Sequence, residues 1–550
     1  MKFSKEIKVL FTLYFFISLI KFSLSFLVPY PQYFGDERLY VDLGRNFLKS
    51  GQFFVDEKPF NHYPPLYSIT ISFATLIDIR TGYIVMKAIN SFLSSFIVFP
   101  MYMLSKEFLN KKESILLSFL SLFLVEGFVY SYTIMSENIF YPLFLFSIYC
   151  FYKSLYAKNN KFKILTGIFV GLSILSRTIG LILIFILVLT LFIHFIIKEK
   201  KSIVKYYFTY RLTFLIILLI ILPWYLRNIY YFGTNLTQIT GYNELSKSTI
   251  ERMTIFKYIY FALINIGYLA LGTGLIFFIF SLYSIKQKDN FDFKIIFIVT
   301  AILFILLCSF WSFTEGGAGE KIMGRYMGPV SYLILIAGSI GLKNFEIKKN
   351  HNLILYVSMI TFIVLFFIPI DKKMGGFDSP STIFLITPKQ AFLMNVIPIL
   401  IPDLFIKLVI ISLPFILFVF RKHITFKNAF LFTIIFLIIN TLIATVAFHY
   451  GSLDAKDFME LALWMKDNLS SGRVILDIQE PNQERSIYFW IQEALKFWTN
   501  FKIIKVNFDD EIDSEYVISY RNLPLKLIKS IKTVEGIYHK KTIELFLYEV

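Results

Sequence analysis

Long apolar runs separated by short polar or basic connections fill the first 450 residues of the chain. Thirteen runs are long enough, or nearly so, to cross a hydrocarbon core of roughly 30 Å. They lie at 7–28, 82–104, 114–132, 139–157, 163–176, 179–197, 208–227, 256–284, 294–313, 326–343, 352–370, 404–420 and 427–449. The run at 163–176 is short and requires protein neighbours to shield its ends. The first run, Ile7 to Val28, reads either as a signal peptide with Ser23-Leu24-Ser25 as a loose cleavage site or as a retained anchor. Its length and the internal Lys21 favour the anchor. After residue 450 the pattern changes. Ala455 to Leu469 has helical spacing and stops at Ser470-Ser471-Gly472. Arg473 to Ile478, Phe501 to Phe508, Tyr516 to Tyr520 and Thr542 to Val550 read as strands. The expected architecture is an α-helical polytopic membrane domain over 1–450, with a first outer loop at 30–81, followed by a small α/β domain over 451–550.

Charge orients this pattern. Alternate connections are basic: Lys106, Lys111 and Lys112; Lys153, Lys158, Lys161 and Lys163; Lys198, Lys200, Lys201 and Lys205; Lys343, Lys348 and Lys349; and Arg421, Lys422 and Lys427. Basic connections stay in the cytoplasm. The N-terminus is then cytoplasmic, whereas 29–81, 132–138, 228–255, 314–325, 371–403 and the C-terminal domain face outward. A full crossing by the apolar stretch Pro64 to Ile79 would invert every later connection, so it is expected to be a juxtamembrane or re-entrant helix.

Mean hydropathy of +0.65 and 19% aromatic residues exclude an ordinary soluble globule. The net charge of +17 sits in short runs between apolar spans, so it is topological and implies no nucleic-acid partner. Cys150 and Cys308 both fall inside apolar runs, which leaves no disulfide framework. None of the six histidines is paired, so a reaction that requires no cofactor is the default, with a divalent metal not indicated by any cluster.

The chemistry-bearing residues flank the spans. Gly35-Asp36-Glu37-Arg38-Leu39-Tyr40 follows the first run, and His62-Tyr63-Pro64-Pro65-Leu66 follows shortly after. Carboxylates against lipid are costly unless they act. Asp36 sits where a helix cap would fall, with Glu37 favouring the positive helix end. The same place would keep Asp36 ionised as a base for a hydroxyl. Arg177 and Arg227 read either as interfacial anchors or as phosphate ligands. Arg325 and Tyr326 close a glycine-rich outer connection able to fold over substrate. Glu137, after Ser136, either starts a helix or lines an acceptor cleft. Tyr40 and Tyr63 are packing aromatics or sugar platforms, and His62 is a loop hydrogen-bonder or a substrate contact.

The Asp-Glu-x-x-Tyr opening and the His-Tyr-Pro-Pro-Leu element are joined by three further motifs. These are Gly171 to Leu181 around Ser176-Arg177-Thr178, Leu222-Pro223-Trp224-Tyr225-Leu226-Arg227-Asn228 leading to Phe232-Gly233, and Gly324-Arg325-Tyr326-Met327-Gly328-Pro329. Their order resembles the GT-C glycosyltransferases, in particular the protein O-mannosyltransferase and lipid A aminoarabinose transferase branch. The resemblance implies a GT-C fold of about 13 transmembrane helices and a polyprenyl (dolichyl or undecaprenyl) phosphate sugar as donor. The acceptor hydroxyl would lie on a protein, lipid or glycan. Asp36 would be the base in an inverting transfer, with Glu37 positioning it or the acceptor. Arg38, Tyr40, His62, Tyr63, Glu137, Arg177, Arg227, Arg325 and Tyr326 would bind substrate. Two departures stand out: Arg38 is displaced by Leu39 from its place directly before the tyrosine, and a loop lysine is replaced near His62. The tryptophan-tryptophan-aspartate signature of oligosaccharyltransferases is absent, with Phe489-Trp490-Ile491 and Phe497-Trp498-Thr499 in its domain, so transfer of a whole glycan to asparagine is not expected. The alternative class, a transporter or lipid-linked-sugar flippase, would call for internal repeats and mid-span ionisable groups. No repeat is present, and Lys87 and Glu126 lie near span ends. A non-catalytic scaffold for the C-terminal domain is the third reading.

Overall fold

The computed structural model describes residues 4–31, 34–156, 159–198, 203–240, 254–287, 289–314, 322–345, 378–385, 425–453, 456–469, 472–477, 485–499, 502–506, 514–519, 523–535 and 541–550, with single positions at 359, 361 and 412. The expected spans at 352–370 and 404–420 lie outside the described residues, apart from those single positions.

The first apolar run forms α1 (Lys5–Ser25), whose cap Ser4 accepts from the Ile7 amide. The first loop then folds into α2 (Phe34–Ser50), a short hairpin of β1 (Phe54–Val55) and β2 (Lys58–Pro59), and α3 (Pro65–Ser72). Pro65 opens α3, where its missing N–H costs nothing. With its 3₁₀ extension the apolar helix spans only Pro65–Leu76, the length expected of a juxtamembrane element. α2 lies on α3 through Gly44: a Cβ there would stand 2.9 Å from the Ser68 carbonyl oxygen.

The bundle follows as α4 (Ile79–Ser95), α5 (Val98–Ser105), α6 (Lys111–Ser121), α7 (Val125–Val129), α8 (Glu137–Ser154), α9 (Lys161–Ser176), α10 (Ile182–Lys198), α11 (Ile203–Phe208), α12 (Arg211–Phe232), α13 (Leu236–Thr240), α14 (Ile255–Gly272), α15 (Ile276–Lys286), α16 (Phe291–Thr314), α17 (Gly328–Lys343) and α18 (Phe426–Leu453). Among the described residues, eight helices are long and apolar enough to cross a membrane, or nine if the bent segment from α6 through α7 counts as one. Of the thirteen expected runs, two lie outside the described residues, and those at 139–157 and 163–176 form α8 and α9, which are not among these eight. The run at 114–132 bends by 62° after Ser121. The run at 256–284 is two helices, broken where Gly274 and Leu275 take φ of 76° and 59°. Hydropathy is continuous across both breaks, so the pattern could not reveal them. α9, the short run, packs between α8 and α12, the shielding that its length requires.

The basic connections meet at one end of the bundle. Lys111 pairs with Glu6 at 2.6 Å, Lys153 pairs with Glu107 at 2.9 Å, and Lys343 donates to the Phe108 carbonyl at 3.3 Å. At the opposite end of α4 and α5, Asp78 and Arg80 pair with Lys466 and Asp467 of the C-terminal domain at 2.6 and 2.7 Å.

That domain comprises α19 (Lys456–Asn468), β3 (Arg473–Asp477), α20 (Arg485–Trp498), β4 (Lys502–Val506), β5 (Tyr516–Ser519), β6 (Lys526–Glu535) and β7 (Lys541–Glu549). Its sheet has the order β4-β3-β5-β7-β6, with β3 parallel to β4 and β5, and β7 antiparallel to β5 and β6. The four expected strands are present. β6 was not expected, because Lys526, Lys529 and Lys532 interrupt its apolar alternation, a pattern suited to an edge strand.

Candidate active site

α2 starts at Phe34, so Asp36 and Glu37 occupy its first turn. Asp36 is therefore not the cap that the preceding glycine suggested. Its carboxylate is held from two sides. The Tyr63 hydroxyl donates to Oδ1 at 2.6 Å, and Arg325 Nη1 donates to Oδ2 at 3.1 Å. The side chain stays 30% exposed, enough to leave lone pairs open to an incoming group. Burial first, and the neighbouring Asp36 carboxylate second, push the Tyr63 phenol well above its usual range, so it remains a donor.

Tyr63 is itself fixed by stacking on Tyr40, with ring centroids 4.5 Å apart and planes at 21°. The Tyr40 hydroxyl lies 2.8 Å from Ser136 Oγ. Ser136 precedes α8 but makes no side-chain cap; it serves this contact and leaves Glu137 to open the helix. Glu137 is buried and paired with Arg177, which ends α9 in extended backbone. Arg325 lies in a 3₁₀ turn ahead of α17, its Nε 4.0 Å from Glu137 and 3.3 Å from Asp378 Oδ1. Its amide donates to the Asp378 carbonyl at 2.8 Å, and its own carbonyl accepts from the Tyr141 hydroxyl at 2.6 Å. The Tyr326 ring sits under both guanidinium groups, 4.5 Å from Arg177 and 5.3 Å from Arg325. Three carboxylates and two arginines so gather around one spot: Asp36, Asp378 and Glu137 about Arg325, with Arg177 on Glu137.

Of the residues singled out in the sequence, Asp36, Tyr40, Tyr63, Glu137, Arg177, Arg325 and Tyr326 converge here. His62 adjoins the group: its ring packs 4.9 Å from Tyr63, and its carbonyl accepts from Thr178 at 3.4 Å. Three others point elsewhere. Glu37 is buried and accepts from the Ile134 amide at 2.9 Å and the Tyr83 hydroxyl at 3.4 Å. Arg38, expected to meet a phosphate, lies among Glu493, Asp42 and Asp56 at 2.6, 2.9 and 3.4 Å. Burial lowers its proton affinity, but those three carboxylates outweigh it and hold the guanidinium more firmly protonated than usual. Arg227 donates to the Phe60 and Phe53 carbonyls at 2.8 and 2.6 Å. It lines a separate cavity of about 300 Å³, bordered by Phe47, Phe53, Leu175, Trp224 and Tyr231. Asp378 was missed. It belongs to the 371–403 connection, expected from the charge pattern to face outward, and its one mark in the sequence is an acid ahead of Ser379-Pro380. Among the described residues no cluster of His, Cys, Asp or Glu has the geometry to hold a metal ion.

Residues 9–234 match the model of the dolichyl-phosphate-mannose-protein mannosyltransferase family. Comparison with curated protein sequences gives no significant match. Among solved structures, the chain is similar to ArnT from Cupriavidus metallidurans in its apo state, with a TM-score of 0.58 at 12% identity, covering 91% of this chain and 86% of that one. ArnT bound to undecaprenyl phosphate matches equally, with a TM-score of 0.58 at 11% identity and the same coverage of 91% and 86%. The oligosaccharyltransferase of Archaeoglobus fulgidus in its apo form follows with a TM-score of 0.50 at 12% identity, covering 92% of this chain and 64% of that one. The family match spans α1 to α12 and includes Asp36, Tyr63, Glu137 and Arg177, while the structural likeness extends through Arg325 to the C-terminal domain. The chain thus shares its overall fold with ArnT, and its first twelve helices resemble the dolichyl-phosphate-mannose-protein mannosyltransferase family.

Proposed function

We propose that the chain moves a single sugar from a polyprenyl-phosphate carrier to an acceptor hydroxyl at the outer face of the membrane, with inversion at the anomeric carbon and Asp36 as base. The observation that carries this reading is the Asp36 carboxylate, partly open to solvent and gripped by Tyr63 and Arg325 at the end of the bundle away from the basic connections. Asp36 takes the proton of the acceptor hydroxyl as its oxygen bonds to the anomeric carbon. The bond from that carbon to the phosphate oxygen breaks, and its electron pair stays on the lipid phosphate. Arg325 pairs with the base, and Arg177 shares the Glu137 carboxylate with Arg325, so these two cations would meet the charge that develops there. The undecaprenyl phosphate bound by the structurally similar ArnT supports a lipid-phosphate donor. The cavity beside Arg227 is lined mostly by apolar side chains, a lining suited to the first isoprene units of such a carrier.

The test is turnover by purified full-length protein with a panel of radiolabelled donors: dolichyl-phosphate mannose, dolichyl-phosphate glucose and an undecaprenyl-phosphate pentose. Wild type should label an acceptor with at least one donor. Asp36→Asn should lose about 10²–10⁴-fold in rate with unchanged expression and membrane insertion. Wild-type turnover by Asp36→Asn would remove the base assignment.

A further inference from the structure

We infer that the C-terminal domain is a working part of the transfer site, with Glu493 as a positioning residue that holds the helix bearing Asp36 by way of Arg38; this rests on the reading of Asp36 as base. The two residues after Asp36 are both tied to α20. Arg38 reaches Asp42 on its own helix and Asp56 in the hairpin, but its shortest contact, from Nε to Glu493 at 2.6 Å, leaves that unit for the C-terminal domain. Lys496, nearly one turn further along α20, pairs with the same Asp56 at 2.6 Å. Glu37 is reached indirectly. The Tyr83 hydroxyl donates to it, and the Tyr83 ring meets Phe497 and Trp498 edge-on at 5.7 and 5.8 Å.

Burial decides that these contacts orient rather than decorate. The side chains of Arg38 and Glu493 are each 7% exposed, so water screens them little, and loss of Glu493 removes the shortest of Arg38's three carboxylate contacts and the one that reaches α20. A buried ion pair is also directional in a way that apolar packing is not. α2 is not among the helices long and apolar enough to cross a membrane; its pose follows from α3 on one side and α20 on another. A base must stand within about 0.5 Å of its working place, so a grip one and two residues from Asp36 bears directly on the chemistry.

The test uses Glu493→Gln and Glu493→Asp in the detergent-solubilised full chain. Two readouts are taken: amide hydrogen exchange over residues 34–45, and kcat and KM with the donors named above. Glu493→Gln should raise exchange over α2 and lower kcat per folded molecule by about 10-fold, with donor KM changed less than about twofold, a loss of positioning rather than of uniform binding. Glu493→Asp, which keeps the charge on a shorter arm, should fall between. Wild-type exchange and kcat in Glu493→Gln would overturn the inference, as would a loss that tracks only the folded fraction. Exchange needs no donor, so it decides the coupling whichever sugar the enzyme takes. If α2 loosens in Glu493→Gln while Asp36→Asn still transfers sugar, the grip stands and the base assignment falls.

Discussion

At the scale of single residues, the site is a carboxylate whose two oxygens have different partners. Tyr63 holds Oδ1 and Arg325 holds Oδ2. A hydrogen bond to a charged group is worth about 1.5–3 kcal/mol. Tyr63→Phe keeps the stack on Tyr40 but removes the donor. Turnover should fall at least about tenfold with little change in thermal stability, as read by single-turnover rates and a melting curve on the same sample. Most members of this group were legible in the sequence, because Asp36, Glu137, Arg177 and Arg325 are ionisable side chains at the mouths of apolar runs, where such groups are costly. Their pairing was not legible. Nothing in the local pattern distinguishes Arg325, which turns to Asp36, from Arg38, which turns to Glu493. Those partners lie 289 and 455 positions away along the chain. Asp378 escaped for the same reason: its meaning comes from an arginine in another connection.

At the scale of elements, the decisive contact is the seat of α2 on α3. Gly44 meets backbone there, the Ser68 carbonyl and the Ser72 Cα, and backbone cannot swing aside as a side chain does. Gly44→Leu should therefore lift α2 from its seat. Overpacking of this kind costs about 1–3 kcal/mol, visible as a lower melting temperature together with reduced turnover. Lys49→Leu, at an exposed position of the same helix, should leave both near wild type. The helices themselves were readable from apolar run length, and so was the shortness of α3, which with its 3₁₀ extension covers only Pro65–Leu76. The break between α14 and α15 was not, since residues 273–275 set it by backbone conformation inside an unbroken apolar run. β6 shows the converse: sheet neighbours make a strand of a segment whose lysines disguise it.

At the scale of the whole molecule, the proposed reaction depends on which side of the membrane each end of the bundle faces. Basic connections gather with Glu6, Glu107 and the Phe108 carbonyl at one end, while Asp36, the first loop and the C-terminal domain meet at the other. Positive charge is retained on the cytoplasmic side, so the Asp36 end should be outermost. The chain offers a clean background for testing this, because Cys150 and Cys308 are both buried. Lys49→Cys on α2 and Lys106→Cys after α5 place single exposed thiols at the two ends. In intact cells, a membrane-impermeant maleimide should label Lys49→Cys and spare Lys106→Cys until the membrane is opened. The reverse pattern would put Asp36 in the cytoplasm and would end the case for transfer at the outer leaflet. The fold itself would be untouched, since helix lengths and packing are the same whichever way the bundle is inserted.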